Sequence, residues 1–583
     1  MNKNRHLCLP ALTALALAMA APAVHADERE SLETLRQTTQ SLIDVLVENG
    51  VISKDKAAAM LKAAQEKAAA AVAAQPTPAR TTTASTTVDG KPVLRVPYVP
   101  ESMRTQMRNE IKEEVLAQAK AERWGVPNAT PSWVDKIKID GDFRVRFQSD
   151  TVGQDNTSAA TYLTAEVGNK NGLSRAPDFA SYSVTASGGV IPTASTTDDR
   201  SRERIRMRLG VSAKVVDEVG VGIRLATGSA TDRVSTNQTL GQNFNKYQLF
   251  VDRAFVRVDP ADWLTVQGGR IPNPWFSSDM TWSDNLNFEG VAATVRTPLP
   301  ILNSTLTPFA TVGWFPLREQ TPPSRDRRTL VGAQVGAGWD LSPRTRLKFG
   351  LALYDYQNLE GQTDPNYLLV TTTSTTSTSI SVSAKPNYGL YEYPVGLRQK
   401  GNTVFETNPT IDGIDTPPVW GLAYKFRPLV LTASAEFTHF DPFNILLAAE
   451  YVNNTAFDAN DFHRRATAST YSGINPGGKR DGYQLKLALG ATEVRDMGDW
   501  QLQATYRHVG SDAVLDAFTD SDLGLGGTNL QGFTLGLSYG LYRNTSVGLR
   551  YLSARSIDST LNAAYPDALY KVNSLQVDFN VRF

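Results

Sequence analysis

Three observations predict an all-β protein, a transmembrane antiparallel β-barrel of about sixteen strands with an N-terminal α-helical, coiled-coil extension. The first is the segment Ser574 to Phe583, which alternates without a fault. Leu575, Val577, Phe579, Val581 and Phe583 share one face; Ser574, Gln576, Asp578, Asn580 and Arg582 share the other. Successive side chains of a strand point to opposite sides, so this strand has an apolar and a polar surface. The second is the start of the chain, where Lys3 and Arg5 precede the apolar stretch Leu7 to Ala21 and an Ala-Val-His-Ala site ending at Ala26. That pattern reads as a secretory signal peptide, too short and wrongly flanked to span a membrane. The third is that no run of about 18 apolar residues follows it, which excludes a helical membrane protein. Export, amphipathic strands and a terminal aromatic residue point to the outer membrane of a Gram-negative bacterium.

Composition agrees with that class. Residues 1–26 carry two of the 59 basic and none of the 59 acidic residues, so the remainder is nearly neutral and implies no nucleic-acid partner. The one cysteine, Cys8, lies within the signal, leaving no thiol for a disulfide or a metal. A mean hydropathy of −0.28 looks soluble, but a wide barrel wets its lumen and hides only alternate residues in lipid.

The segments follow in order. Residues 1–26 are the signal, and 27–74 read as a periplasmic helical segment with Leu32, Leu35, Leu42 and Leu46 at heptad-like spacing. Such a thin apolar stripe needs partner helices. Residues 75–100 form a Pro- and Thr-rich linker, and 101–134 hold a charged helix, Glu101 to Arg123, with Met103, Met107, Ile111 and Val115 along one side. From 135 to 583 the period becomes two. The connections there alternate in length: short at Asp217-Glu218, Asp259 to Asp262, Ser342-Pro343, Asp441 to Phe443, Asp496 to Asp499 and Asn544, and long between them. Short periplasmic turns and long external loops produce that rhythm. The Thr- and Ser-rich stretch from Thr371 to Ser383 reads as solvated loop. Trp263, Trp420, Trp500 and Tyr551 are placed as an interfacial girdle would be.

Face by face, Arg202, Arg204, Arg206 and Arg208 lie opposite Ile205, Met207, Leu209 and Val211, and Arg144 and Arg146 lie opposite Phe143, Val145 and Phe147. An arginine near the bilayer midplane costs roughly 2–4 kcal/mol, so these side chains should face water. About sixteen strands enclose too much space for their own side chains to fill, which leaves an aqueous channel. The loop Ile271 to Asn285 carries Trp275, Phe276 and Trp282 and is too apolar for free solution, so it should pack on the inner wall or a neighbour. Folded inward, its Asp279 and Asp284, with Glu289 just beyond, would face a wall drawn from Arg144, Arg146, Arg204, Arg206, Arg208, Arg224, Arg253, Arg257 and Arg270. A transverse field of that kind sorts solutes by charge; the plainer reading is that these arginines pair with carboxylates and hydrate the lumen.

Other chemistry scores poorly. His439, His463 and His508 lack metal-ligand spacing, Gly524 to Gly527 lacks the strand-then-helix setting of a phosphate loop and reads as a flexible loop, and no nucleophile elbow is present. The expectation is no cofactor, no metal and no catalysis.

The segment Val96 to Gln148, the RAFVRV at Arg253, the GRIPNPWF at Gly269 and the final aromatic together resemble the proteobacterial putative porin family and, more distantly, the phosphate-selective porins. That resemblance implies a homotrimer of sixteen-stranded barrels in outer-membrane lipid, each with a third loop folded into its pore. It also implies a periplasmic coiled coil. The terminal strand ending in Phe583 is expected to be the signal that the barrel-assembly machinery reads. The function implied is passive diffusion of small hydrophilic solutes or ions. The alternatives are a structural tether to the cell wall through the N-terminal helices, and an outer-membrane hydrolase.

Overall fold

A computed structural model describes residues 136–583 apart from 169–171, 185–189, 320–326, 365–366, 374–377, 385–388, 408–417, 441–442, 468–470 and 562–564; the expected signal, helical segment, linker and charged helix at 1–134 lie outside the described residues. Sixteen long strands follow one another: β1 Ile137–Val152, β2 Arg200–Val216, β3 Val219–Ala226, β4 Phe250–Ala261, β5 Leu264–Pro272, β6 Asn287–Arg296, β7 Ser304–Arg318 and β8 Arg328–Ser342, then β9 Thr345–Gln357, β10 Pro428–Phe440, β11 Phe443–Asn454, β12 Asp481–Gly490, β13 Trp500–Val509, β14 Leu530–Tyr542, β15 Thr545–Ser556 and β16 Lys571–Arg582. Each pairs antiparallel with its successor, and β16 returns to β1 from Asp142↔Arg582 to Val152↔Val572. Closure satisfies every strand edge inside the sheet, which a lipid environment demands. Two short pieces extend the sheet, Gln238–Thr239 beside β2 and Leu299–Ile301 beside β7.

The wall is inside out relative to a soluble core. On β1 Ile139, Phe143, Val145 and Phe147 point outward and are exposed, whereas Arg146, Gln148 and Asp150 point inward and are buried. On β16 Leu575, Val577 and Phe579 face out while Ser574, Gln576 and Asp578 face in. The seam closes on the last residue: Gly141 N–H donates to Phe583 O at 3.0 Å, and Phe583 N–H donates back to Gly141 O at 3.1 Å. A Cβ on Gly141 would stand 2.5 Å from the Phe583 ring, so only glycine lets the ring lie there.

Short turns at one end of the barrel alternate with long loops at the other. The β14–β15 connection is Arg543-Asn544, with Asn544 in the left-handed region that two-residue hairpins favour. The long loops are L1 (153–199), L2 (227–249), L3 (273–286), L4 (319–327), L5 (358–427), L6 (455–480), L7 (510–529) and L8 (557–570). Two readings need correcting here. Trp420 is not a girdle residue, because Trp420–Leu422 is a short strand of L5 that pairs with Val404–Glu406 and buries the indole. Its apolar character serves loop packing. The Thr-rich stretch is a two-stranded ribbon, Tyr367–Thr373 with Thr378–Ala384, as β-branched residues favour. Trp263, Trp500 and Tyr551 do face outward.

Candidate functional site: a two-loop bridge against an arginine wall

L3 leaves the wall at a pair of kinked glycines. Gly269 and Gly290 are register partners on β5 and β6, with φ of 113° and 144°. A Cβ would come within 2.4 Å of Ala254 O at the first and 2.2 Å of Trp314 O at the second. Backbone of that conformation suits glycine and swings both strand ends inward.

Beyond the kink, L3 crosses to the far side of the lumen. Phe276 N–H donates to Gln334 of β8 at 2.8 Å and its carbonyl accepts from the same amide at 2.7 Å. The Ser278 N–H and hydroxyl and the Thr281 hydroxyl donate to Glu450 of β11 at 2.6–2.7 Å. Asp279 reaches Arg507 of β13 at 2.7 Å and Gln484 of β12 at 2.8 Å. Its tryptophans supply the adhesion. Trp275 stands edge-on to Tyr354 and Phe315, and Trp282 to Tyr354 and Phe288, with Phe518 of L7 at 5.7 Å from Trp282. These rings are buried, and each contributes on the order of 1.5–3 kcal/mol by removal from water.

L7 is the second half of the bridge. Ser283 N–H donates to Phe518 O at 2.8 Å and Asp520 N–H to Asp279 O at 3.0 Å, so the two loops run together by main chain. Asp522 then spans to the opposite wall, 3.2 Å from Arg146 and 2.7 Å from Arg550. Gly524 to Gly527, read above as a flexible loop, is a fixed turn: the Lys400 ammonium donates to Gly524 O at 2.5 Å and Gly526 O at 2.6 Å. A Cβ on Gly527 would meet Lys400 O at 1.9 Å. Charges in the bridge perturb one another. Burial acts to raise the Asp279 carboxyl, but Arg507, Gln484 and Lys486 outweigh it and hold it below the usual range. Burial, with Asp522 and Asp279 beside it, pushes Asp520 up.

Facing the bridge, β1 to β4 present a wall of guanidiniums. Arg146 pairs with Asp578 at 2.6 Å; Arg206 and Arg208 share Asp142 at 2.7 and 2.5 Å; Arg224 pairs with Asp252. Arg144 lies 3.8 Å from Asp578 and also donates to Asn237 of L2. Arg204 reaches Gln148 at 3.2 Å, and Arg253 reaches Asn287 at 2.7 Å. A cavity of about 670 Å³ opens beside Arg202 and Arg204. Another, of about 490 Å³, opens beside Asp252, Arg270 and Trp282.

The sequence-derived set is therefore only partly gathered. Arg144, Arg146, Arg204, Arg206, Arg208, Arg224 and Arg253 form one surface. Arg257 sits at the short-turn end of β4, half exposed and paired with Asp259 at 2.8 Å. Arg270 and Glu289 pair with each other across β5 and β6 at 2.5 Å. Asp279 engages Arg507, an arginine outside the expected wall, and Asp284 is exposed. Sequence reasoning missed Arg507, Arg550, Glu450, Asp520 and Asp522. Each strand residue among them is the single charged side chain on the inward face of its strand, and L7 carries no apolar signature as strong as that of L3. Among the described residues no cluster of His, Cys, Asp or Glu suits a metal ion.

A family model described as Putative porin matches residues 36–583. No curated protein matches the chain. Similar solved structures include OmpF of Salmonella typhi in complex with daunomycin (9% identity, 77% of this chain and 97% of that one, TM-score 0.36). The outer membrane channel DcaP of Acinetobacter baumannii is 10% identical over 77% of this chain and 98% of that one, with a TM-score of 0.35. An anion-selective porin from Comamonas acidovorans is 12% identical over 77% and 99%, again with a TM-score of 0.35.

Proposed function

Because the chain belongs to the Putative porin family, a family of Gram-negative outer-membrane barrels, we propose that it conducts small hydrophilic solutes or ions passively through the water that its charged inner wall retains. The observation that carries this reading is the opposition of the β1–β4 guanidiniums to the L3–L7 bridge. A barrel of this strand number is too wide for its wall residues to fill, and the bridge is what narrows it. The long-loop end is then external and the short-turn end periplasmic. The bridge meets the wall where Asp522 pairs with Arg146, and solutes pass beside that contact, with the remaining wall arginines on one side and the bridge with its Asp284 on the other, a geometry that orders water and sorts by charge. The trimer, the periplasmic coiled coil through Leu32, Leu35, Leu42 and Leu46, and recognition of Phe583 by the barrel-assembly machinery belong to the same proposal. The pairing of Phe583 with Gly141 supports the last of these. Purified protein in a planar bilayer should give discrete conductance steps; a folded, inserted protein that gives none overturns the reading.

A further inference from the structure

We infer that the channel selects anions, and that Arg204 and Arg253 are successive docking positions for a small solute carrying a carboxylate or phosphoryl group. The inference rests on the channel reading above and adds the sign and chemistry of the cargo.

Cross-strand register places Arg146 opposite Arg204, Arg144 opposite Arg206, and Arg224 opposite Arg253. Like charges directly opposed on paired strands destabilise a sheet. Opposite charges do meet at Arg146 and Asp578 and at Asp142 and Arg208, but a wall built only for stability would not also carry these three arginine–arginine rungs. Its carboxylates are too few and are shared: Asp142 serves Arg206 and Arg208, while Asp578 serves Arg146 and, at 3.8 Å, Arg144. Arg204 and Arg253 have neutral partners, the amide oxygens of Gln148 and Asn287. An amide oxygen orients a guanidinium without cancelling its charge. The Nε groups of Arg144, Arg202 and Arg204 are buried with no protein acceptor, and such donors take water or a ligand oxygen.

The placement is sequential. Arg204 lines the 670 Å³ cavity on the long-loop side. Of the carboxylates sharing that cavity, Asp150 is paired with Arg202; Asp198, Asp199 and Asp232 accept from the neutral donors Ser195, the Val152 N–H and the Val234 and Ser235 N–H groups and keep their charge, set against Arg200, Arg204 and Arg233 in the same lining. Below it come Arg206 and Arg208, then Arg224, opposite Gly210, with Arg253 beside it. On the bridge, Asp279, Asp520 and Asp522 lie within reach of Arg507, Arg146 or Arg550, which offsets much of their field, and the exposed Asp284 is a single acid set against Arg204 and Arg253. A planar guanidinium fork suits carboxylate and phosphoryl oxygens. Separate single-guanidinium positions hold a solute weakly enough to release it.

The test is the reversal potential of single channels in a KCl gradient, with potassium succinate or potassium phosphate then added to one side. Wild type should reverse on the anion side, and its chloride current should fall with at least one of the two additions, which names the oxyanion class. The Arg204→Gln/Arg253→Gln pair should lose most of the reversal offset and the sensitivity to the additions. Arg346→Gln, at the short-turn end of β9 beside Asp340, should change neither. If the double variant does not fold, Arg204→Lys should keep the offset and weaken the response to the additions. Conductance steps with cation preference, or an unchanged offset in the folded double variant, overturn the inference and leave the channel standing. A wild-type current that ignores both additions overturns the docking positions, and the absence of steps in wild type overturns the channel reading itself.

Discussion

Arg507 of β13 holds Asp279 of L3 at 2.7 Å, and its own side chain is only 3% exposed. The same guanidinium donates to Gln484 at 2.6 Å and lies 4.0 Å from Asp520 of L7. One inward arginine thus ties both loops of the bridge to the far wall.

Arg507→Gln should release the tip of L3. A charged hydrogen bond of this kind contributes roughly 1.5–3 kcal/mol, and Asp279 is partly solvated, so the lower part of that range is expected. The readouts are a lower temperature of heat-dependent migration on gels and noisier, larger conductance steps. Steps identical to wild type would mean that L3 does not set the opening.

Trp282→Ala removes the ring on which L3, L7 and β9 converge. Large-to-small changes at such sites cost about 3–5 kcal/mol. Because the rings pack inside a wall that closes without them, the loss should appear as a wider, less uniform pore in a barrel that still forms. Conductance distribution and far-ultraviolet dichroism, measured together, separate the two effects.

Opposite faces of the same strands should respond oppositely to charge. Leu535→Arg puts a guanidinium on the outer face of β14, where Leu535 is exposed, and should lower stability by roughly 2–4 kcal/mol. Gln503→Arg, inward on β13, should fold normally and shift ion preference. Denaturant titrations in detergent micelles check the first, and reversal potentials the second.

Gly141→Val places branched carbon where the Phe583 ring lies, 2.5 Å from the Cβ position. It should slow seam closure and reduce the fraction of compact, heat-modifiable protein, and Phe583→Ala in the same chain should partly relieve the clash. Pulse-labelled assembly in lipid vesicles gives the comparison.

L1 should loosen as pH rises. Glu166 is buried and accepts from the Ser174 hydroxyl. Burial pushes its carboxyl up to about 8, against the pull of Ser174 and Arg398. A carboxyl raised in the folded state contributes stability that is complete below its unfolded value, near 4.5, and is lost as pH climbs through the folded one. Proteolysis of L1 should therefore speed up as pH rises from about 4.5 to about 8 relative to Glu166→Gln, which should show no such step.

Much of this molecule was legible in one dimension. Period-two alternation marked all sixteen strands, because a side chain in lipid and its neighbour in water obey opposite solvation rules along each strand. The aromatic content of Ile271 to Asn285 marked L3 as a packed loop for the same reason. Strand ends adjoining structured loops were less legible: Trp420 and its neighbours are as apolar as a strand, yet they pack within L5.

Composition and spacing along the chain were enough for the barrel, its strand count, its inward arginines and the packed character of Ile271 to Asn285, since each follows from local solvation; that this loop packs on the inner wall rather than on a neighbour was decided by the fold. Which partner each charge meets depended on closure of the sheet. Asp279 found Arg507 rather than the arginines nearer in sequence, and Asp522 drew Arg146 and Arg550 across L7. The Asp279–Arg507 and Asp522–Arg146 pairings join residues hundreds of positions apart, and only the register of sixteen strands and the path of two loops set their distances.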